Sequence, residues 1–231
     1  MKEQLENPKN QLSKDDFING RHDEMIIKAG LEHLMVRNSV EKRLSIRDEM
    51  LKTAPPKGPI WVFAYGSLIW NPAFDVRYKK LGTLYGYHRS FCFWSKVGRG
   101  SPEKPGMMLG LERGGACSGI LLGVERQDAN EELTSVFMRE MTGQTYLPKW
   151  GSVKTTSGWV KAITFVSNQS SENYVGRRPL EEVASHISRG AGHLGSCSDY
   201  LFNTTQHLQG LGLRDQMLEN LCRLVERART A

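Results

Sequence analysis

The sequence predicts an α+β fold on an antiparallel or mixed sheet, which either stays open or closes into a small barrel. Three observations predict it. Strand-like apolar and aromatic segments crowd together between Ile60 and Val166. A single helical segment, about 129–141, interrupts them. Helical patterns gather instead at the two ends, before the A-P-P-K-G-P boundary at 54–59 and after Pro179. A parallel, doubly wound sheet needs regular strand–helix alternation, which this order lacks.

Each element has its own local reason. Residues 1–20 are polar and read as loosely held. Two helices are expected at about 22–36 and 39–52, the second with Asn38 as cap and Glu41 completing a capping box. The boundary at 54–59 then separates an N-terminal helical extension, 1–59, from a main domain, 60–231. Ile60–Tyr65 is a short apolar strand, and Leu81–Trp94 alternates with many aromatics. Met107–Arg113 and Ser118–Glu125 read as two strands joined by a glycine turn in E-R-G-G-A-C. The helix at about 129–141 has Asp128 in the cap position, with Glu131 at the box position. Lys149–Thr156 and Trp159–Val166 form a hairpin pattern. A helix over 179–189 opens with Pro179 and closes at Gly190, and two more follow at about 197–209 and 214–229.

Composition narrows the function classes. The chain has 231 residues, 39% hydrophobic and 24% charged, close to an ordinary soluble domain. No apolar run reaches the roughly 18 residues of a membrane span, so membrane insertion is not expected. The first residues lack the apolar core of a signal peptide, which leads to the expectation of a cytoplasmic protein. The four cysteines are widely spaced and read as reduced thiols, and the histidines show no metal-ligand spacing. No metal is expected. Net charge is +6, and residues 77–104 hold seven Lys and Arg against Glu103 alone. Such an excess attracts anions. Nucleic acid is not expected, because neither zinc-finger spacing nor an RNP-type aromatic run accompanies it.

Several familiar motifs fail on context. G-A-G-H-L-G at 190–195 follows a helix rather than a strand, so its glycines end that helix instead of cradling a dinucleotide. Y-G-S-L-I carries Ile69 where a nucleophile elbow needs glycine. No phosphate-binding P-loop pattern occurs.

Other features survive. In the helix at 129–141, Leu133, Val136 and Phe137 form an apolar stripe whose next member is Glu140, while Met138 and Arg139 point elsewhere. Glu140 then lies either inside, with a raised pKa and the character of a proton carrier, or at a wet helix margin. In Tyr65-Gly66-Ser67-Leu68, Gly66 either lets a ligand approach main-chain amides or marks a bulge. Tyr174, in the loop before Pro179, is either a packing residue or a hydroxyl for a carboxylate or carbonyl. Arg89 and Arg99 each either face solvent or fork onto a carboxylate.

Taken together, V-F-A-Y-G-S-L-I-W, G-Y-H-R-S-F, R-G-S-P-E-K-P-G, M-R-E, N-Y-V-G-R-R-P-L-E-E and S-D-Y-L resemble the γ-glutamylcyclotransferases, most closely the ChaC type. They recur in order from about 60 to 205. Ala64 stands where many relatives have glycine, and Met141-Thr142-Gly143 where many have a double glycine.

The resemblance implies a small β-barrel with flanking helices. It implies a substrate-binding segment at Val62, Phe63, Ala64, Tyr65, Gly66, Ser67 and Leu68, with the γ-glutamyl group on the Tyr65–Leu68 loop. It implies Glu140 as catalytic acid/base and Tyr174 in the pocket wall. The implied reaction converts glutathione to 5-oxoproline and cysteinylglycine without a cofactor. Arg99 or Arg89 is then a candidate for the glycine carboxylate. Two alternatives accompany this reading: a cyclotransferase for other γ-glutamyl amines, and a regulatory partner of a cation transporter. The sequence leaves the oligomeric state open.

Overall fold

A computed structural model describes residues 12–230. Its centre is a closed barrel of β1 (Ile60–Ala64), β2 (Tyr78–Ser95), β3 (Gly106–Val124), β4 (Tyr146–Thr155) and β5 (Gly158–Ser167), in the order β1-β3-β2-β4-β5. Neighbours are antiparallel except at the closing seam, where β1 and β5 run parallel at Val62↔Ile163. The expected α+β class is met, in its closed form.

One strand departs from expectation. Residues 106–124 form the single strand β3, paired with β2 from Tyr78↔Gly123 to Ser95↔Gly106. Gly114 and Gly115 take φ of 96° and 70°, but they do not reverse the chain. They sit opposite Gly86 (φ 83°), where the register shifts between Tyr85 and Tyr87. Glycine freedom here makes a bulge that bends the ribbon so that it can close on itself.

Helices cover the barrel. The helix α4 (Ala129–Glu140) packs its Leu133, Val136 and Phe137 against β1 and β5 residues such as Val62, Ala64 and Phe165. Asp128 occupies its cap position but makes no side-chain cap bond. The helices α5 (Leu180–Arg189), α6 (Cys197–Gly210) and α7 (Gln216–Thr230) cover the other face. Pro179 and Gly190 bound α5 as expected. The G-A-G-H-L-G segment follows as a two-stranded turn, β6 (Ala191–Gly192) with β7 (Gly195–Ser196).

The segment before β1 is more broken and more tightly held than the sequence implied. It holds α1 (Lys14–Ile18), α2 (Arg21–Lys28), a short turn at Glu32–Leu34, and α3 (Val40–Lys52). The expected helix at 22–36 stops at Lys28, because Ala29 and Gly30 (φ 65°) turn the chain. Of the stretch expected to be loose, residues 1–11 lie outside the described residues; Phe17 is buried against Ala73 and Met138. Ser39, not Asn38, caps α3 by accepting from the Lys42 amide.

Asn38 is used elsewhere. Its Nδ2 donates to the carbonyls of Met141 (2.9 Å) and Gly143 (3.0 Å), and its own amide donates to Thr142 O (3.0 Å). Arg43, 1% exposed, donates to Met138 O at 3.2 Å and to both oxygens of Asp23 at 2.7 Å. Helix C-termini leave carbonyls without intrahelical donors. The N-terminal segment supplies those donors at the end of α4.

Candidate active site

The apolar stripe of α4 carries Glu140 into a cavity of about 200 Å³. Leu133, Val136 and Phe137 are each 0% exposed, so the helix cannot rotate without uncovering them. That fixes where the i+7 residue points. The Glu140 side chain is 13% exposed. Burial raises its pKa above the usual carboxylate value, and the Arg139 charge partly opposes the rise. The inside alternative is therefore the one the structure adopts.

Arg139 was expected to point elsewhere, yet it lines the same cavity. Its Nε lies 3.2 Å from Glu140 Oε1. Its Nη2 donates to Ser67 Oγ, and its Nη1 to Asn71 O at 2.6 Å. The guanidinium rests 5.6 Å from the centre of the Phe17 ring. A long, flexible stem lets an arginine cross from one helix face to a neighbouring group, which the stripe rule does not capture. Met138 does lie off the stripe, buried against Phe17 and Ala73.

The Tyr65–Leu68 loop leaves the end of β1 and enters a single tight turn, Ser67–Ile69. Ser67 lines the cavity. Its amide finds no acceptor among the described residues and is free to meet a ligand in that cavity. A Cβ on Gly66 would stand 3.1 Å from the hydroxyl of Tyr200, which also lines the cavity. Any side chain at this position would have to push that hydroxyl aside. Leu68 is buried in the core beside α4.

Other expected ligand residues are placed away from the cavity. Val62, Phe63 and Ala64 are each 0% exposed, because β1 is covered on both faces; they hold the loop from behind. Tyr65 is also buried, and its hydroxyl donates to Phe165 O at 2.8 Å. Arg89 is consumed by structure: Nε donates to Tyr65 O (2.6 Å), Nη1 pairs with Asp215 (2.6 Å), and Nη2 donates to Ser118 O. Tyr174 does not line the cavity: it packs edge-on against the buried Phe93 ring and its hydroxyl donates to Glu112, and burial together with that bond pushes its pKa up to about 12. The cause is strand alternation. Residues 173–175 pair with 92–94, so Asn173 faces the cavity and Tyr174 the opposite side.

Of the two candidate carboxylate binders, Arg99 is the one at the cavity. Its guanidinium stacks 5.8 Å from the Trp70 ring and donates to Ser196 O at 3.3 Å. It forms no ion pair among the described residues. Burial lowers its pKa, so an anion there would relieve an unpaired, partly desolvated charge.

Sequence reasoning missed Tyr200 as a site residue, although it sits in the S-D-Y-L motif. Its hydroxyl has no hydrogen-bond partner among the described residues, and burial with the nearby Glu140 charge raises its pKa. It also missed the whole N-terminal wall of the cavity, which no local pattern announces. Cys92, Cys117 and Cys197 are buried free thiols, and Cys222 is half-buried. No group of His, Cys, Asp and Glu among the described residues is arranged to hold a metal ion.

A buried carboxylate, the free amide of Ser67, a free phenol and an unpaired arginine thus share one cavity. That set can move a proton, polarise a carbonyl and hold a carboxylate.

Comparisons with known proteins agree with this architecture. A protein of Escherichia coli (strain K12) named glutathione-specific gamma-glutamylcyclotransferase is 36% identical over 184 residues, 79% of this chain and 80% of its own. Gamma-glutamylcyclotransferase 2-3 of Arabidopsis thaliana is 32% identical over 175 residues, 72% of this chain and 88% of its own. The crystal structure of a selenomethionine-labelled glutathione-specific γ-glutamyl cyclotransferase from yeast superposes with a TM-score of 0.69 at 20% identity, covering 75% of this chain and 98% of that one. It shares the fold. Residues 60–228 match the model of the family described as ChaC-like protein, and this chain belongs to that family.

Proposed function

We propose that this chain is a γ-glutamylcyclotransferase that cleaves glutathione by intramolecular cyclisation. The products are 5-oxoproline and cysteinylglycine. The observation that carries this reading is the buried carboxylate of Glu140 in the same cavity as Ser67, with Arg139 tying the two together.

The substrate's α-amine is the nucleophile. Amines of this kind have a pKa of about 7.7–8.0 and are mostly protonated near neutrality, so a base is required. Glu140 removes the proton. The amine nitrogen then attacks the γ-carbonyl carbon, and a five-membered lactam closes. The bond from that carbon to the cysteine nitrogen breaks, and Glu140 returns its proton to the leaving amine. A base so placed contributes roughly 10²–10⁴ in rate. Holding the amine against its own carbonyl contributes up to about 7–11 kcal/mol.

The amide of Ser67, with the Tyr200 hydroxyl, serves the anionic oxygens of the γ-glutamyl group, whether carboxylate or oxyanion. Arg99 meets the carboxylate at the glycine end. Its lack of an ion pair among the described residues favours a substrate with a distant carboxylate over a simple γ-glutamyl amine.

We further propose that residues 60–231 form the catalytic domain and 1–59 an extension of it. Among the described residues no helix is long and apolar enough to cross a membrane. The free thiols favour a reducing, cytoplasmic setting. The deciding experiment incubates purified protein with glutathione and follows 5-oxoproline, beside Glu140→Gln. Equal product from both forms would end the proposed role of Glu140.

A further inference from the structure

Residues ahead of the barrel build one wall of the Glu140 cavity. Leu12, Phe17, His22, Ile26, Leu34 and Met35 all line it. Their position is fixed relative to Glu140 by Asn38 and Arg43, which grip the carbonyls at the end of α4. Phe17 also supports the Arg139 guanidinium directly. Five of these six lining residues are apolar, and His22 alone brings a hydrogen-bonding side chain.

The His22 ring is held but not satisfied. Phe17 packs against it edge-on, with centroids 5.5 Å apart. Its Nδ1 is sealed from water and has no partner among the described residues. The neighbouring carboxylate, Asp23, is fully engaged by Arg37 and Arg43. Burial pushes the pKa of His22 down to about 4; Asp23 opposes the shift, while His193, Arg139 and Arg43 reinforce it. The ring is therefore neutral. Nε2 is not among the sealed atoms, and a proton there leaves a lone pair rather than an N–H buried without a partner at Nδ1, so Nε2 is the donor that can meet a ligand.

Which part of the substrate would it meet? Under the cyclisation reading, the γ-glutamyl head is taken by Glu140 and the Ser67 turn. The remaining peptide has a weakly polar thiol side chain, one amide and one carboxylate. An apolar wall with a single donor suits that peptide. We propose that His22 is a specificity-determining residue, donating a hydrogen bond to the cysteinylglycine portion of the substrate while the surrounding apolar side chains pack its cysteine. This inference rests on the cyclisation reading.

The test is steady-state kinetics on the full chain. A partly unfolded variant loses kcat but keeps its KM, so KM is the informative quantity. His22→Leu keeps the bulk and removes the donor. It should raise the KM for glutathione about ten-fold, the worth of one strong hydrogen bond. His22→Gln restores an N–H donor and should bring KM back to within about three-fold of the parent. Normal turnover with an unmoved KM in His22→Leu, or a His22→Gln no better than His22→Leu, overturns the inference alone. No 5-oxoproline from the unaltered chain removes the underlying activity, and this inference with it.

Discussion

Arg139 and Glu140 are adjacent in the chain and also paired in space, with Nε 3.2 Å from Oε1. The same guanidinium reaches Ser67 and Asn71 on the loop after β1. One arginine therefore sets both the charge on the carboxylate and the distance between that carboxylate and the loop facing it. Substitutions around this pair should separate its roles.

Glu140→Gln should lower kcat for 5-oxoproline formation by about 10²–10⁴, the range for loss of a general base. The fold should survive, because the apolar stripe of α4 is untouched. Circular dichroism beside the product assay checks both halves.

The same substitution makes a pH prediction. Burial raises the pKa of Glu140 above its ordinary value of 4.5, so the folded chain binds this proton more tightly than the unfolded chain does. Stability from this group is then present below the unfolded value and declines as pH rises from it through the folded one. Glu140→Gln lacks that decline. Its Tm relative to the parent should climb as pH rises above the ordinary value of 4.5, as thermal melts at a series of pH values would show.

Arg139→Met should push the acidic limb of kcat/KM to higher pH, because the charge that holds the Glu140 pKa down is gone. It also unfastens Ser67 and Asn71, so a loss of about 10²-fold in kcat/KM is expected from misplacement alone. A pH–rate profile with an unshifted limb would contradict the electrostatic half.

The two arginines once equal as carboxylate binders should now differ. Arg99→Ala should raise the KM for glutathione by roughly 10–100-fold, the worth of a charge-assisted bond. Arg89→Ala should act on stability instead. It strands Asp215, whose side chain is 19% exposed, and frees the carbonyls of Tyr65 and Ser118. A loss of about 3 kcal/mol is expected from breaking such a pair. Denaturant melts and kinetics on both variants would tell the roles apart.

The legible parts of this molecule were those governed by short-range periodicity. The stripe Leu133, Val136, Phe137 led to Glu140 because a helix repeats every few residues. The hairpin of β4 and β5 and the bounds of α5 were equally local. Other features depend on partners distant in the chain. Gly114 and Gly115 read as a turn, and only the facing Gly86 makes them a bulge. Asn38 read as a cap, but Ser39 serves α3 and releases Asn38 for carbonyls about a hundred residues away. Tyr174 was misplaced because its direction follows from pairing with Phe93, which no spacing reveals.

The grip of Asn38 and Arg43 on the last turn of α4 has a practical side. A shortened gene product beginning at Ile60 would retain every barrel strand and still lose the scaffold that steadies Glu140. The cavity around that carboxylate would stand open to bulk water, with main-chain oxygens near Met138, Met141 and Gly143 left to recruit solvent. The barrel gives this molecule its shape, but the dryness of its working chamber is inherited from the stretch of chain that comes before it.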